Sequence, residues 1–147
     1  IETIHAATDL LAEAKLSPEL RNEALYYRAK AYTKQKADKK AMEDYRELAK
    51  DTRNSYGAEA KYQVAQSLYD AKEYAAAEKE LLNYIEQSTP HAYWLARSFI
   101  LLSDVYHATG KDLDARQYLL SLQQNYQGND DIESMIESRL SKLKVEN

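Results

Sequence analysis

Apolar residues recur every three or four positions through most of the chain, and short polar breakers interrupt them. That is the period of helices that each bury one face. Eight helices are predicted, over residues 2–15, 19–35, 38–51, 56–71, 74–87, 91–109, 112–126 and 130–143. Ser17-Pro18-Glu19 reads as a helix start, with a Ser cap, a proline in the first turn and an acid beside it. Thr89-Pro90 repeats the device, and Asn54-Ser55, Gly110-Lys111-Asp112 and Gly128-Asn129-Asp130 mark further joints. Every connection is short, so neighbouring helices are expected to form antiparallel hairpins.

The pattern repeats itself. Small residues at Ala29, Ala65 and Ser103 are followed twelve positions later by Ala41, Ala77 and Ala115. Four residues beyond stand Tyr45, Leu81 and Leu119, and three further Leu48, Tyr84 and Leu122. Tyr32, Leu68 and Tyr106 lie three residues after the first small position, and the copies are separated by 36 and then 38 residues. Paired small residues let two helices approach closely, while large residues one turn away fill the groove to the next hairpin. A single hairpin cannot bury both faces, so the copies are expected to stack.

The ends extend this scheme. Ala7, Leu11 and Ala14 match the second helix of an earlier repeat. Ile132, Met135, Ile136, Leu140 and Leu143 give residues 130–143 one apolar face, as a capping helix requires. The expectation is a single domain over 1–147: a half repeat at 1–16, repeats at 22–57, 58–95 and 96–129, and a cap at 130–143.

These positions resemble the tetratricopeptide repeat, in which an aromatic, Leu, Gly and Tyr precede Ala, a second aromatic and Pro over about 34 residues. The third copy carries Phe99, Leu102, Ser103, Tyr106, Ala115 and Leu119, and the second Val64, Ala65, Leu68, Ala77 and Leu81. The first copy departs at Arg28, where Leu is usual, and proline occurs only at Pro18 and Pro90. The resemblance implies a right-handed α-solenoid whose first helices line a concave, protein-binding groove. The longer repeats and Tyr-rich first helices are similar to those of bacterial cell-envelope proteins, such as the lipoprotein of the outer-membrane β-barrel assembly machine. That similarity implies a cell-envelope or periplasmic setting.

Composition agrees with an all-α class: 44% of residues are hydrophobic and 30% charged, with three Gly, two Pro and Val only at 64, 105 and 145. A net charge of −4 argues against a general nucleic-acid binder, which needs a basic face. No apolar run approaches the roughly 18–20 residues that cross a bilayer. The absence of Cys removes disulfides, thiolate metal sites and a Cys nucleophile. The start, Ile1-Glu2-Thr3, reads as a piece of a longer protein.

Candidate chemistry is sparse. His5, His91 and His107 show no metal-ligand spacing, although Asp104 and His107 share a helical face as a conceivable two-ligand site or a solvated pair. Asp112/Asp114 and Asp130/Asp131 lie at helix starts, where the macrodipole favours acid. No phosphate loop or nucleophile elbow occurs, so neither catalysis, nor a metal, nor a cofactor is expected. Lys34, Lys36, Lys39 and Lys40 crowd one joint, as a solvated turn or a dock for an anionic partner or lipid headgroup.

Thirteen Tyr against one Phe points to surface as well as core, because a buried hydroxyl needs a partner. Tyr32, Tyr45, Tyr84 and Tyr106 are expected in packing. Tyr26, Tyr62 and Tyr69 occupy offsets that the resemblance places on the groove, unless they too pack between hairpins. The expected function is a scaffold that holds a protein or peptide segment against Tyr26, Lys30, Tyr62, Gln66, Tyr69, Arg97, Asp104 and His107. Mixed charge implies no simple acidic or basic ligand. The family's chaperone-tail clamp needs Lys and Asn where Tyr26, Lys30, Tyr62 and Gln66 stand, which disfavours such tails. The alternative is a purely structural spacer within a larger assembly protein. An enzyme would require catalysis from flanking domains.

Overall fold

The computed structural model describes residues 2–13 and 15–143. Among these residues there are eight helices and no strand, so the chain is all-α. The helices are α1 (Glu2–Leu11), α2 (Pro18–Lys34), α3 (Asp38–Leu48), α4 (Ser55–Asp70), α5 (Tyr74–Glu86), α6 (Ala92–Ala108), α7 (Asp112–Asn125) and α8 (Ile132–Lys142). The largest departure from expectation is α1, which stops at Leu11; Ala14 lies outside the described residues. No described helix is long and apolar enough to cross a membrane. The chain divides into two compact units, Ile1–Val64 and Ala65–Asn147. In the first, α2 packs on α1 and α3; in the second, α6 packs on α5, α7 and α8, and α7 on α8.

The repeated positions are the core. Ala29, Ala65, Ser103, Ala41, Ala77 and Ala115 are all at most 4% exposed. Tyr45, Leu81, Leu119, Leu48, Tyr84 and Leu122 are buried, as is Tyr106, while Tyr32 and Leu68 are half-buried. A fully buried Leu such as Leu81 or Leu119 contributes about 2 kcal/mol through removal of apolar surface from water.

The copies share a backbone device as well. Helices α2, α4 and α6 are each followed, two positions past their last residue, by a residue of left-handed conformation: Lys36 at φ 61°, Lys72 at φ 62° and Gly110 at φ 78°. The next N–H then reaches back five residues, Ala37 to the Tyr32 carbonyl at 2.8 Å, Glu73 to Leu68 at 2.9 Å and Lys111 to Tyr106 at 2.8 Å. This is the Schellman closure of a helix C-terminus, which satisfies carbonyls that the helix leaves open. Glycine is the residue suited to the left-handed position, yet two copies place Lys there. The longer second interval has a local source: α5 runs two residues past Tyr84, whereas α3 stops at Leu48.

One core position breaks the repeat. Arg28 stands where the other copies carry Val64 and Leu102, and it pairs with Asp44 of α3, which is 4% exposed. Its Nε and Nη2 donate to the two carboxylate oxygens at 2.8 and 2.7 Å, and Nη1 donates to Thr8 Oγ1 at 3.1 Å. One guanidinium thereby ties α1, α2 and α3 together, and the hydrogen bonds to Asp44 raise its already high pKa.

In the second unit, α8 lays Ile132 and Ile136 into a cluster with Ala96, Ile100, Leu119 and Leu122, flanked by Met135, Leu140 and Leu143. The preceding loop is fixed by polar contacts. Tyr126 donates to Asp130 at 2.5 Å, Asp130 accepts from the Ile132 N–H at 3.0 Å, and Tyr93 donates to Asp131 at 3.0 Å. The Tyr126 ring lies against Gly128, where a Cβ would displace it.

A polar cavity as candidate functional site

Three-residue spacing puts Gln66 and Tyr69 on one face of α4, and Asp104 and His107 on one face of α6. In the repeat these are equivalent pairs, 38 residues apart. Together they line a cavity of about 340 Å³, with buried Ser103 beside them. Arg139, Lys142 and Leu143, from α8 and its end, complete the lining. Four of the eight expected groove residues thus come together within the second unit.

Much of the cavity's hydrogen-bonding capacity is already used. The Ser103 hydroxyl donates to the Ile100 carbonyl at 2.6 Å, and the Gln66 amide donates to Asp70 at 2.9 Å. His107 Nδ1 lies 2.8 Å from Asp112, across the α6–α7 turn, so its partner is not Asp104. Asp104 instead accepts from Arg139, Nε to Oδ1 at 3.3 Å and Nη2 to Oδ2 at 3.4 Å. Burial pushes the Asp104 carboxyl above its ordinary value, against the lowering influence of Arg139. Burial also raises the Tyr69 hydroxyl, helped by the Asp104 charge. Among the described residues, no three His, Asp or Glu side chains converge as a metal site would require.

The other expected residues lie elsewhere. Tyr26 and Lys30 belong to the first unit, where Glu59 joins them: it accepts from the Tyr26 hydroxyl at 2.9 Å and lies 3.6 Å from Lys30 Nζ. Lys30 also sits 4.9 Å over the Tyr26 ring, which meets the Tyr56 ring at a tilt of 44° with centres 4.7 Å apart. Arg97 is not part of the cavity lining; it donates to the Tyr93 hydroxyl at 2.9 Å and lies 5.8 Å from the Tyr93 and Trp94 ring centres.

Tyr62 requires a correction. It is 5% exposed and offers no ring to a groove. It lies three residues before buried Ala65, hence on the same helix face. Ile100, three before Ser103, is buried in the same way.

Sequence reasoning missed Arg139 and Lys142 because α8 was read only through its apolar stripe. Their own three-residue spacing, flanking Leu140 and Leu143, was the available signal. Compared with known protein families, curated proteins and solved structures, the chain matches none.

Proposed function

We propose that the chain is a tetratricopeptide-like interaction scaffold that holds a segment of a partner protein at the cavity formed by Gln66, Tyr69, Asp104 and His107. The observation that carries this reading is the cavity itself: successive first helices contribute equivalent residue pairs to one polar recess. The buried small-residue ladder and the thrice-repeated Schellman turn support helices of tetratricopeptide type, for which the resemblance implies a right-handed solenoid. Tyr69 is the aromatic anchor of the site, half-buried and in ring contact with Tyr74 at 5.6 Å. The reading assigns no catalysis to the chain.

The test is site-specific photocrosslinking in cells of the source organism. A photoreactive residue at position 69 or 66 is expected to yield a discrete protein adduct, whereas one at Lys79, exposed on α5, yields none. Equal adducts at all three positions, or none at 66 and 69, would favour the spacer reading.

A further inference from the structure

We infer that the cavity recognises a carboxylate of the bound segment, with Arg139 and Lys142 of α8 supplying the charge. The inference rests on the reading of this cavity as a partner site and adds its chemistry. The sign of charge decides it. Asp104 is the acid lining the cavity, and both its oxygens already accept from Arg139. Its charge is opposed by both Arg139 and Lys142, so among the lining residues cations outnumber the acid and a cationic ligand is disfavoured. The donors are in the opposite state. Arg139 uses Nε and Nη2 on Asp104, so its Nη1 makes no hydrogen bond among the described residues. Among the described residues Lys142 has no ion-pair partner and the Tyr69 hydroxyl no hydrogen-bond partner.

Three open donors thus line one recess, and an ionised carboxylate offers about four lone-pair sites for them. Guanidinium and ammonium donors make the stronger, charge-assisted bonds. Asp104 acts here as a positioning residue: it holds the Arg139 fork in place and leaves the third nitrogen for the ligand. Leu143 and the Tyr69 ring give the recess an apolar side suited to the methylenes that carry an acid group. The cations come from α8, outside the three repeats.

The test is a titration of the full isotopically labelled chain with synthetic peptides, followed by backbone amide shifts. One peptide carries internal Glu with both ends blocked. A second is neutral with a free C-terminal carboxylate, a third neutral and fully blocked, and a fourth blocked and Lys-bearing. The first or second is expected to shift the amides of Tyr69, Asp104, Arg139 and Lys142, and whichever binds identifies the carboxylate as side chain or terminus. Arg139→Gln and Lys142→Gln should each weaken that binding about tenfold or more, and added salt should weaken it further. If the neutral blocked and Lys-bearing peptides shift the same amides equally well, the carboxylate inference is overturned while the partner-segment reading stands. If no peptide of any charge shifts them, both fall.

Discussion

Each unit contains an Arg–Asp pair in fork geometry, and the two pairs are built differently. In the first unit, Arg28 holds Asp44 at 2.7–2.8 Å, with side chains 20% and 6% exposed. In the second, Arg139 reaches Asp104 at 3.3–3.4 Å, with 31% and 21% exposed. The first pair replaces an apolar contact of the repeat and ties three helices. The second borders a cavity and keeps donor capacity in reserve. The same residue types thus form a tight, buried tie in one unit and a looser, half-exposed pair beside a cavity in the other. A buried charge is costly once unpaired, whereas a half-exposed one can exchange partners.

The largest test of this contrast is Arg28→Leu, which strands a buried carboxylate. Unfolding by denaturant should show a loss of about 3–5 kcal/mol, mostly recovered when Asp44→Leu is added. Arg139→Leu should cost no more than about 1 kcal/mol, because Asp104 keeps access to water and to the charge of Lys142. Equal losses for the two Arg variants would erase the distinction between the pairs.

The ladder should behave alike in both units. Ala41→Leu in the first and Ala115→Leu in the second are each expected to cost about 1–3 kcal/mol by overpacking, read from the same denaturation curves. A cost in only one unit would mean that the repeat is not energetically shared.

Smaller still are the turns. Lys36→Gly and Lys72→Gly should each stabilise by about 1 kcal/mol, and Gly110→Lys should destabilise by a similar amount, because the left-handed conformation penalises a Cβ. Thermal melts of the three variants would check the signs.

The smallest effect is electrostatic. Burial holds the Asp104 carboxyl above its ordinary 3.8. The folded chain therefore binds that proton at higher pH than the unfolded chain does, so stability rises as pH falls from the raised value toward 3.8. Across that window the stability difference between wild type and Asp104→Asn should move in favour of wild type. A difference that moves the other way would mean the charged form of Asp104 is the favoured one.

The helices and their buried ladder were legible because small-to-large spacing is a direct record of how closely two helices pack. The three equivalent turns were half legible. Gly110 announces a left-handed residue, but Lys36 and Lys72 do not, and only the backbone reveals that all three perform one task. The lining of the cavity was legible where its residues recur in the repeat, as Gln66, Tyr69, Asp104 and His107 do. The groove expectation failed at Tyr62, whose ring is buried, whereas Tyr26 at the same offset from Ala29 stays half-buried, so the offset alone does not fix exposure. The spacing of Arg139 and Lys142 was visible, but which residues they meet depends on where α8 lands, which its own residues do not encode.

The most direct measurement pairs stability with binding in one variant. Arg139→Gln should weaken binding of the carboxylate-bearing peptide about tenfold or more while its melting temperature stays close to that of wild type. Unchanged binding, or a fall in melting temperature as large as that of Arg28→Leu, would contradict the assignment of the looser pair to recognition.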